Sequence, residues 1–101
     1  MGALDNDSVK RLLHCITSLQ TEEECRAFFE DICTIKEVLD MAQRLDTAVL
    51  LDKGSNYQSI SKTVGISTAT ISRVKRCLDY GPGGYRLVLD RLAEEAGEEE
   101  K

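Results

Sequence analysis

One stretch constrains this chain more than any other: YQSISKTVGISTATISRVKRCL, from Tyr57 to Leu78. Ile60 and Val64 stand four apart and give a first short helix an apolar face. Gly65 follows at once, where a tight turn between two helices needs a backbone free to take positive φ. Ile66 is placed to plug the gap between the helices, and Ser67 to cap the second one. Ile71 and Leu78, with Val74 beside them, give that second helix a buried side, and small Ser61 and Ala69 let the two helices approach closely. The spacing predicts a helix-turn-helix over 57–78.

The opposite face of the second helix carries Ser67, Thr68, Ala69, Ser72, Arg73 and Arg76. Short hydroxyl and methyl side chains near a helix N-terminus can approach base edges in a major groove, where Thr68 or Ala69 meets a thymine methyl. Lys62, Lys75 and Arg76 are candidate phosphate contacts, which set register without reading sequence. With Gln58 on the first helix, these make nine candidate DNA-binding residues: Gln58, Lys62, Ser67, Thr68, Ala69, Ser72, Arg73, Lys75 and Arg76.

The net charge of −5 argues against a polyanionic partner until its distribution is considered. From Lys53 to Leu78 the sequence holds Lys53, Lys62, Arg73, Lys75 and Arg76 and no Asp or Glu. The acids sit elsewhere, in Glu22 to Glu24 and from Glu94 onward. Counterion release depends on the charges that touch phosphates, so a local basic face outweighs an acidic total.

The rest of the chain reads as helix, with no strand signal. Val9, Leu12, Leu13, Ile16 and Leu19 make an apolar stripe on a helix from about Asp7 to Leu19. Thr21 with Glu24, and Thr34 with Glu37, are capping boxes. They open a helix to Ile32, with Cys25, Phe28, Phe29 and Ile32 inward, and another to about Asp52. Gly54 stops the latter. Gly81-Pro82-Gly83-Gly84 separates the recognition segment from a last helix, Tyr85 to about Ala96, with Leu87, Val88, Leu92 and Ala93 near one face. The expected organisation is a single all-α domain of about six helices over 1–96, followed by an acidic tail over 97–101 that is expected to fray.

With 101 residues, a lone subunit buries roughly 60–70% of its unfolded surface, so oligomerisation is an open route to stability. No apolar run approaches a membrane span and the N-terminus lacks a signal-peptide core, so a cytoplasmic location is expected. Cys15, Cys25, Cys33 and Cys77 form no paired metal-ligand spacing and are expected to be buried or half-buried thiols; neither a metal nor a cofactor is expected. His14 adjoins Cys15, but adjacent helix residues do not face each other, and it is expected to be a partly buried helix residue rather than a general base. The chain does not read as an enzyme.

TIKEVLDMAQRLDTAVLLDKG and SISKTVGISTATISRVKRCLDYGPGGYR, within Thr34 to about Leu89, resemble the Trp repressor superfamily. The whole chain is similar to its TrpR-like YerC/YecD branch, with GISTATISR the most specific element. The resemblance implies an all-helical, intertwined dimer whose recognition helices meet successive major grooves about 34–36 Å apart. It also implies an effector pocket in which L-tryptophan lies between two arginines, matching Arg44 and Arg73 here, with Thr34 nearby.

The sequence departs from the resemblance at that pocket. Val74 stands where the repressors keep a glycine beside the ligand, and Cys77 where a serine helps hold the amino group. Overpacking costs about 1–3 kcal/mol and a lost hydrogen bond to a charged group a similar amount. Together they weaken tryptophan binding by roughly two to four powers of ten, which reads against L-tryptophan as effector. The expected function is a dimeric, sequence-specific DNA-binding transcriptional regulator, a repressor by resemblance. The alternative is a protein-interaction module that uses the helix-turn-helix as a scaffold.

Overall fold

Local capping chemistry sets the ends of most helices in the computed structural model, which describes residues 2–100, the last three without their side chains. Helix α1 is Asp7–Thr17, where Asn6 caps by accepting from the Val9 N–H at 2.8 Å. It stops short of the expected Leu19, because the Ser18 N–H already turns back to the Cys15 and Ile16 carbonyls. Helix α2 is Glu22–Ile32. The Thr21 hydroxyl accepts from the Glu24 N–H at 3.1 Å, while the Glu24 carboxylate takes the Gln20 N–H at 2.9 Å.

Helix α3 is Ile35–Asp52 and opens on the complete reciprocal box: Glu37 N–H to Thr34 Oγ1 at 3.1 Å and Thr34 N–H to Glu37 Oε1 at 2.8 Å. It ends in a Schellman motif, with Gly54 at φ 87°, its N–H on the Leu51 carbonyl and the Ser55 N–H on the Leu50 carbonyl. Helix α4, Tyr57–Ile60, continues into a π-helical turn, Ser61–Gly65. Helix α5 is Thr68–Tyr80 and helix α6 Gly84–Glu100. Among the described residues there is no strand, and no helix is long and apolar enough to cross a membrane.

The chain divides into two compact units, the first ending at Val38 and the second beginning at Leu39. In the first unit α1 and α2 contain no buried residue. Leu12, Leu13 and Ile32, assigned to inward stripes, are exposed, Leu13 at 55%. Phe28 and Phe29 are half-buried and meet edge to face with centroids 5.7 Å apart. His14 and Cys15, expected to be at least partly covered, are exposed.

The second unit has a closed centre. Ala48 of α3, Val74 of α5 and Leu89 of α6 pack together, with Val49, Leu51, Leu78 and Tyr85 half-buried against them. Ile60 of α4 and Ile71 of α5 are fully buried, and those two helices pack on each other. Leu89, rather than the expected stripe of Leu87, Val88, Leu92 and Ala93, is the buried residue of α6. The 3-4 spacing marks an apolar face without saying what covers it. Bidentate bonds from Arg86 Nη1 and Nη2 to Asp52, at 2.8 and 3.0 Å, tie the start of α6 to the end of α3.

Of the four punctuating residues 81–84, only Gly83 takes positive φ, at 95°. Gly81 has an ordinary φ but is needed for space, since a Cβ there would collide with the Cys77 carbonyl. Gly84 opens α6, which extends past the expected Ala96. Beyond Gly97, the side chains of the expected acidic tail lie outside the described residues, as does residue 101 altogether.

Candidate nucleic-acid interface

The first helix of the predicted pair departs from a regular α-helix halfway along. After Ile60 the backbone widens into the π-helical turn, where the Ser61 hydroxyl donates to the Ile66 carbonyl at 2.5 Å. That bond and Gly65, at φ 83°, close the turn between the two helices. Nothing lies within 4 Å of a Cβ built on Gly65, so the residue is required by conformation and not by crowding. Gln43 Nε2 of α3 reaches the Val64 carbonyl in a long bond of 3.5 Å.

Ser67 then caps α5, accepting from the Thr70 N–H at 3.2 Å. Ile71 and Val74, three apart, are buried, and Leu78 is half-buried on the same side. Their burial turns Ala69, Ser72, Arg73 and Arg76, at i, i+3, i+4 and i+7, to the open face. All nine candidate DNA-binding residues are exposed: Gln58 on α4, Lys62 on the π turn, Ser67 at the cap, and Thr68, Ala69, Ser72, Arg73, Lys75 and Arg76 on α5. Ala69, assigned also to the helix crossing, therefore lies on the open face.

The cations of this face are not equivalent. Lys75 Nζ lies 3.1 Å from Asp79, the first acid beyond the acid-free stretch. Among the described residues no carboxylate lies within ion-pair distance of Lys62, Arg73 or Arg76. The pairing of Lys75 was readable as an i, i+4 spacing, although a count that stopped at Leu78 missed it.

The five residues matched to an effector pocket are divided between the two units. Thr34 belongs to the first unit, where it caps α3. In the second unit Arg73 is exposed, whereas Val74, at 2% exposure, fills the core against Ala48 and Leu89. Cys77, expected to be covered, is exposed and lines an open apolar groove of about 360 Å³ with Leu45, Pro82, Gly84, Tyr85 and Val88. Burial raises the pKa of Tyr85, the Arg44 charge opposes the rise, and Cys77 adds to it. Arg44, Tyr85 and Cys77 are thus electrostatic neighbours, a grouping that sequence spacing could not reveal because Tyr85 carried no motif.

Comparison with known proteins agrees with this geometry. The family model described as Trp repressor protein matches residues 7–93. The uncharacterised YerC protein of Bacillus subtilis is 48% identical over 91 residues, covering 90% of this chain and 88% of that protein. The crystal structure of a TrpR-like protein from Eubacterium eligens superposes with a TM-score of 0.86 at 44% identity, over 89% of this chain and 93% of the other. A candidate Trp repressor from Staphylococcus aureus gives a TM-score of 0.85 at 41% identity, over 89% and 90% of the two chains. The all-helical fold, its helix-turn-helix and these likenesses agree, and the chain belongs to the Trp repressor family of regulators, in its TrpR-like YerC branch.

Proposed function

We propose that this chain is a sequence-specific DNA-binding transcriptional regulator that acts as a homodimer in the cytoplasm and represses by occupying an operator. The observation that carries the proposal is the division of α5: Ile71 and Val74 are buried, while Ala69, Ser72, Arg73 and Arg76 form one open stripe. A recognition helix must be anchored on one side and offer short polar groups and cations on the other. Gln58, Lys62, Ser67 and Thr68 border the stripe, and Lys75 joins them by exchanging Asp79 for phosphate. Membership of a family that typically binds DNA supports the same reading.

Dimerisation is supported by apolar surface that the subunit leaves open. Leu12 and Leu13 on α1, Ile32 on α2, Leu39 on α3, and Leu87 and Leu92 on α6 are all exposed large hydrophobics. Patches of this kind on a small domain mark association surfaces. A twofold dimer presents two copies of α5 to successive major grooves and selects a palindromic site.

L-tryptophan is not the effector in this reading. The volume that a glycine would leave beside the recognition helix is occupied by Val74, and Cys77 replaces the hydroxyl that would meet an amino group.

The test is fluorescence anisotropy on a labelled pool of genomic duplexes, at low and physiological salt, with and without L-tryptophan. The expected result is enrichment of a palindromic site. Affinity should fall about 10³- to 10⁵-fold between 50 and 200 mM salt if six to ten phosphates are engaged, with no response to tryptophan. Binding no better than background at low salt overturns the proposal in favour of an interaction module built on the same scaffold.

A further inference from the structure

We propose that Arg73 is the residue that reads a guanine in the major groove, and that Arg76, one turn further along α5, grips a phosphate at the groove's rim. The inference rests on the DNA-binding reading above and assigns different work to two exposed arginines on one stripe.

Position along the helix separates them. A helix rises about 1.5 Å per residue, so Arg73 lies about 7–8 Å from the first residue of α5 and Arg76 about 12 Å. The major groove is about 12 Å wide and 8.5 Å deep, and a recognition helix enters it with its N-terminal residues against the base edges. Arg73 then sits over the groove floor, on the same stripe as Ala69 and Ser72, whose short side chains let the helix backbone come close. Arg76 sits where the helix leaves the groove and passes the backbone.

Availability separates both from Lys75. Lys75 is engaged by Asp79 at 3.1 Å, while among the described residues neither Arg73 nor Arg76 has a carboxylate within ion-pair distance. A free guanidinium offers the planar fork that matches guanine O6 and N7, which an ammonium cannot. The neighbouring Val74 is locked between Ala48 and Leu89, so the backbone that carries Arg73 is fixed to the core of its unit and aims the side chain outward. An arginine held in this way has a direction, and direction is what base reading needs.

The experiment compares wild type, Arg73→Lys, Arg73→Ala, Arg76→Lys and Arg76→Ala on the duplex that wild type selects. Every base pair of one half-site is permuted in turn, and affinity is read by anisotropy at fixed salt. Arg73→Lys keeps the charge and loses the fork. It should narrow, and Arg73→Ala should flatten, a preference of about 5- to 150-fold for G·C at one symmetric position, while binding of Arg73→Lys to an unrelated duplex stays near wild type. Arg76→Lys should leave the profile intact, and Arg76→Ala should weaken all duplexes alike and reduce the salt slope by about one per subunit. A base profile that Arg73→Ala leaves unchanged, with only a uniform loss of affinity, overturns this assignment alone. A wild-type protein that selects no duplex overturns it together with the DNA-binding reading.

Discussion

The two units of the chain solve the problem of an amphipathic helix differently. In the second unit the apolar sides of α3, α5 and α6 meet in Ala48, Val74 and Leu89, while Ile60 and Ile71 on the packed pair α4 and α5 are wholly sealed. In the first unit α1 and α2 have equally regular stripes and bury nothing completely. Both begin on well-made caps, so the difference does not lie in helix formation. It lies in whether the subunit itself supplies the opposing surface. The half that carries the recognition helix is closed on itself, and the half ahead of it leaves its apolar side open, the surface that the proposed dimer would use.

That comparison breaks most readily at Ile71. Replacing it with alanine removes a fully buried side chain and should lower stability by about 2–5 kcal/mol, measured by urea unfolding. Leu13→Ala, on the exposed stripe of α1, should leave the unfolding midpoint of dilute protein nearly unchanged and, on the proposed dimerisation, fall further behind wild type as concentration rises. Equal losses from both variants at every concentration would erase the distinction between the units.

Val74 sharpens the same contrast from inside the closed unit. Val74→Gly removes about 1.5–3 kcal/mol of burial and adds about 1 kcal/mol of helix penalty. The space it opens lies against Ala48 and Leu89, at the position where the Trp repressors keep a glycine; on the blocked-pocket reading, calorimetry should detect L-tryptophan binding that wild type lacks, though weakened still by the thiol at Cys77. A variant as blind to tryptophan as wild type would mean that Val74 is core and nothing more.

What the sequence disclosed and what it withheld divide along the same physical line. The boxes Thr21–Glu24 and Thr34–Glu37, the stop at Gly54, the turn at Gly65 and the cap at Ser67 were legible because each is a bond or dihedral within a few residues. The open stripe of α5 was legible too, since Ile71 fixes the phase of that helix. The π turn was not, because it depends on a hydroxyl at Ser61 finding the Ile66 carbonyl, a choice that periodicity does not encode. Leu89 was hidden for a related reason: its burial comes from α3 and α5, not from its own helix. The Asp52–Arg86 clamp spans 34 positions and has no local signature at all.

Gly65 offers a smaller test, confined to the turn. With φ at 83° and open space around its Cβ position, Gly65→Ala meets conformational strain without a clash. The expected loss is about 1–2 kcal/mol, with DNA affinity falling in parallel only if the turn also sets the angle of α5. A loss much above that range would mean that the π turn collapses when strained, which differential hydrogen exchange over 61–65 would reveal.

The smallest expected effect comes from the exposed clamp. Hydrogen bonds from Arg86, and after the opposing desolvation its charge, hold the Asp52 carboxyl below its ordinary value of 3.8. A carboxyl with a lowered folded-state pKa contributes stability above its unfolded pKa, and that contribution fades as pH falls through the folded value. Stability should therefore decline in acid below about pH 4 with a component from Asp52, and Asp52→Asn should remove that component while changing little at pH 7. Arg86→Gln should do the same from the other side, because Asp90, its second partner at 2.9 Å, lies on α6 itself and cannot replace the link to α3. If neither variant flattens the acid limb, the clamp orients α6 without stabilising it. The closed unit then owes its cohesion to Ala48, Val74 and Leu89 and not to the ion pair that spans it.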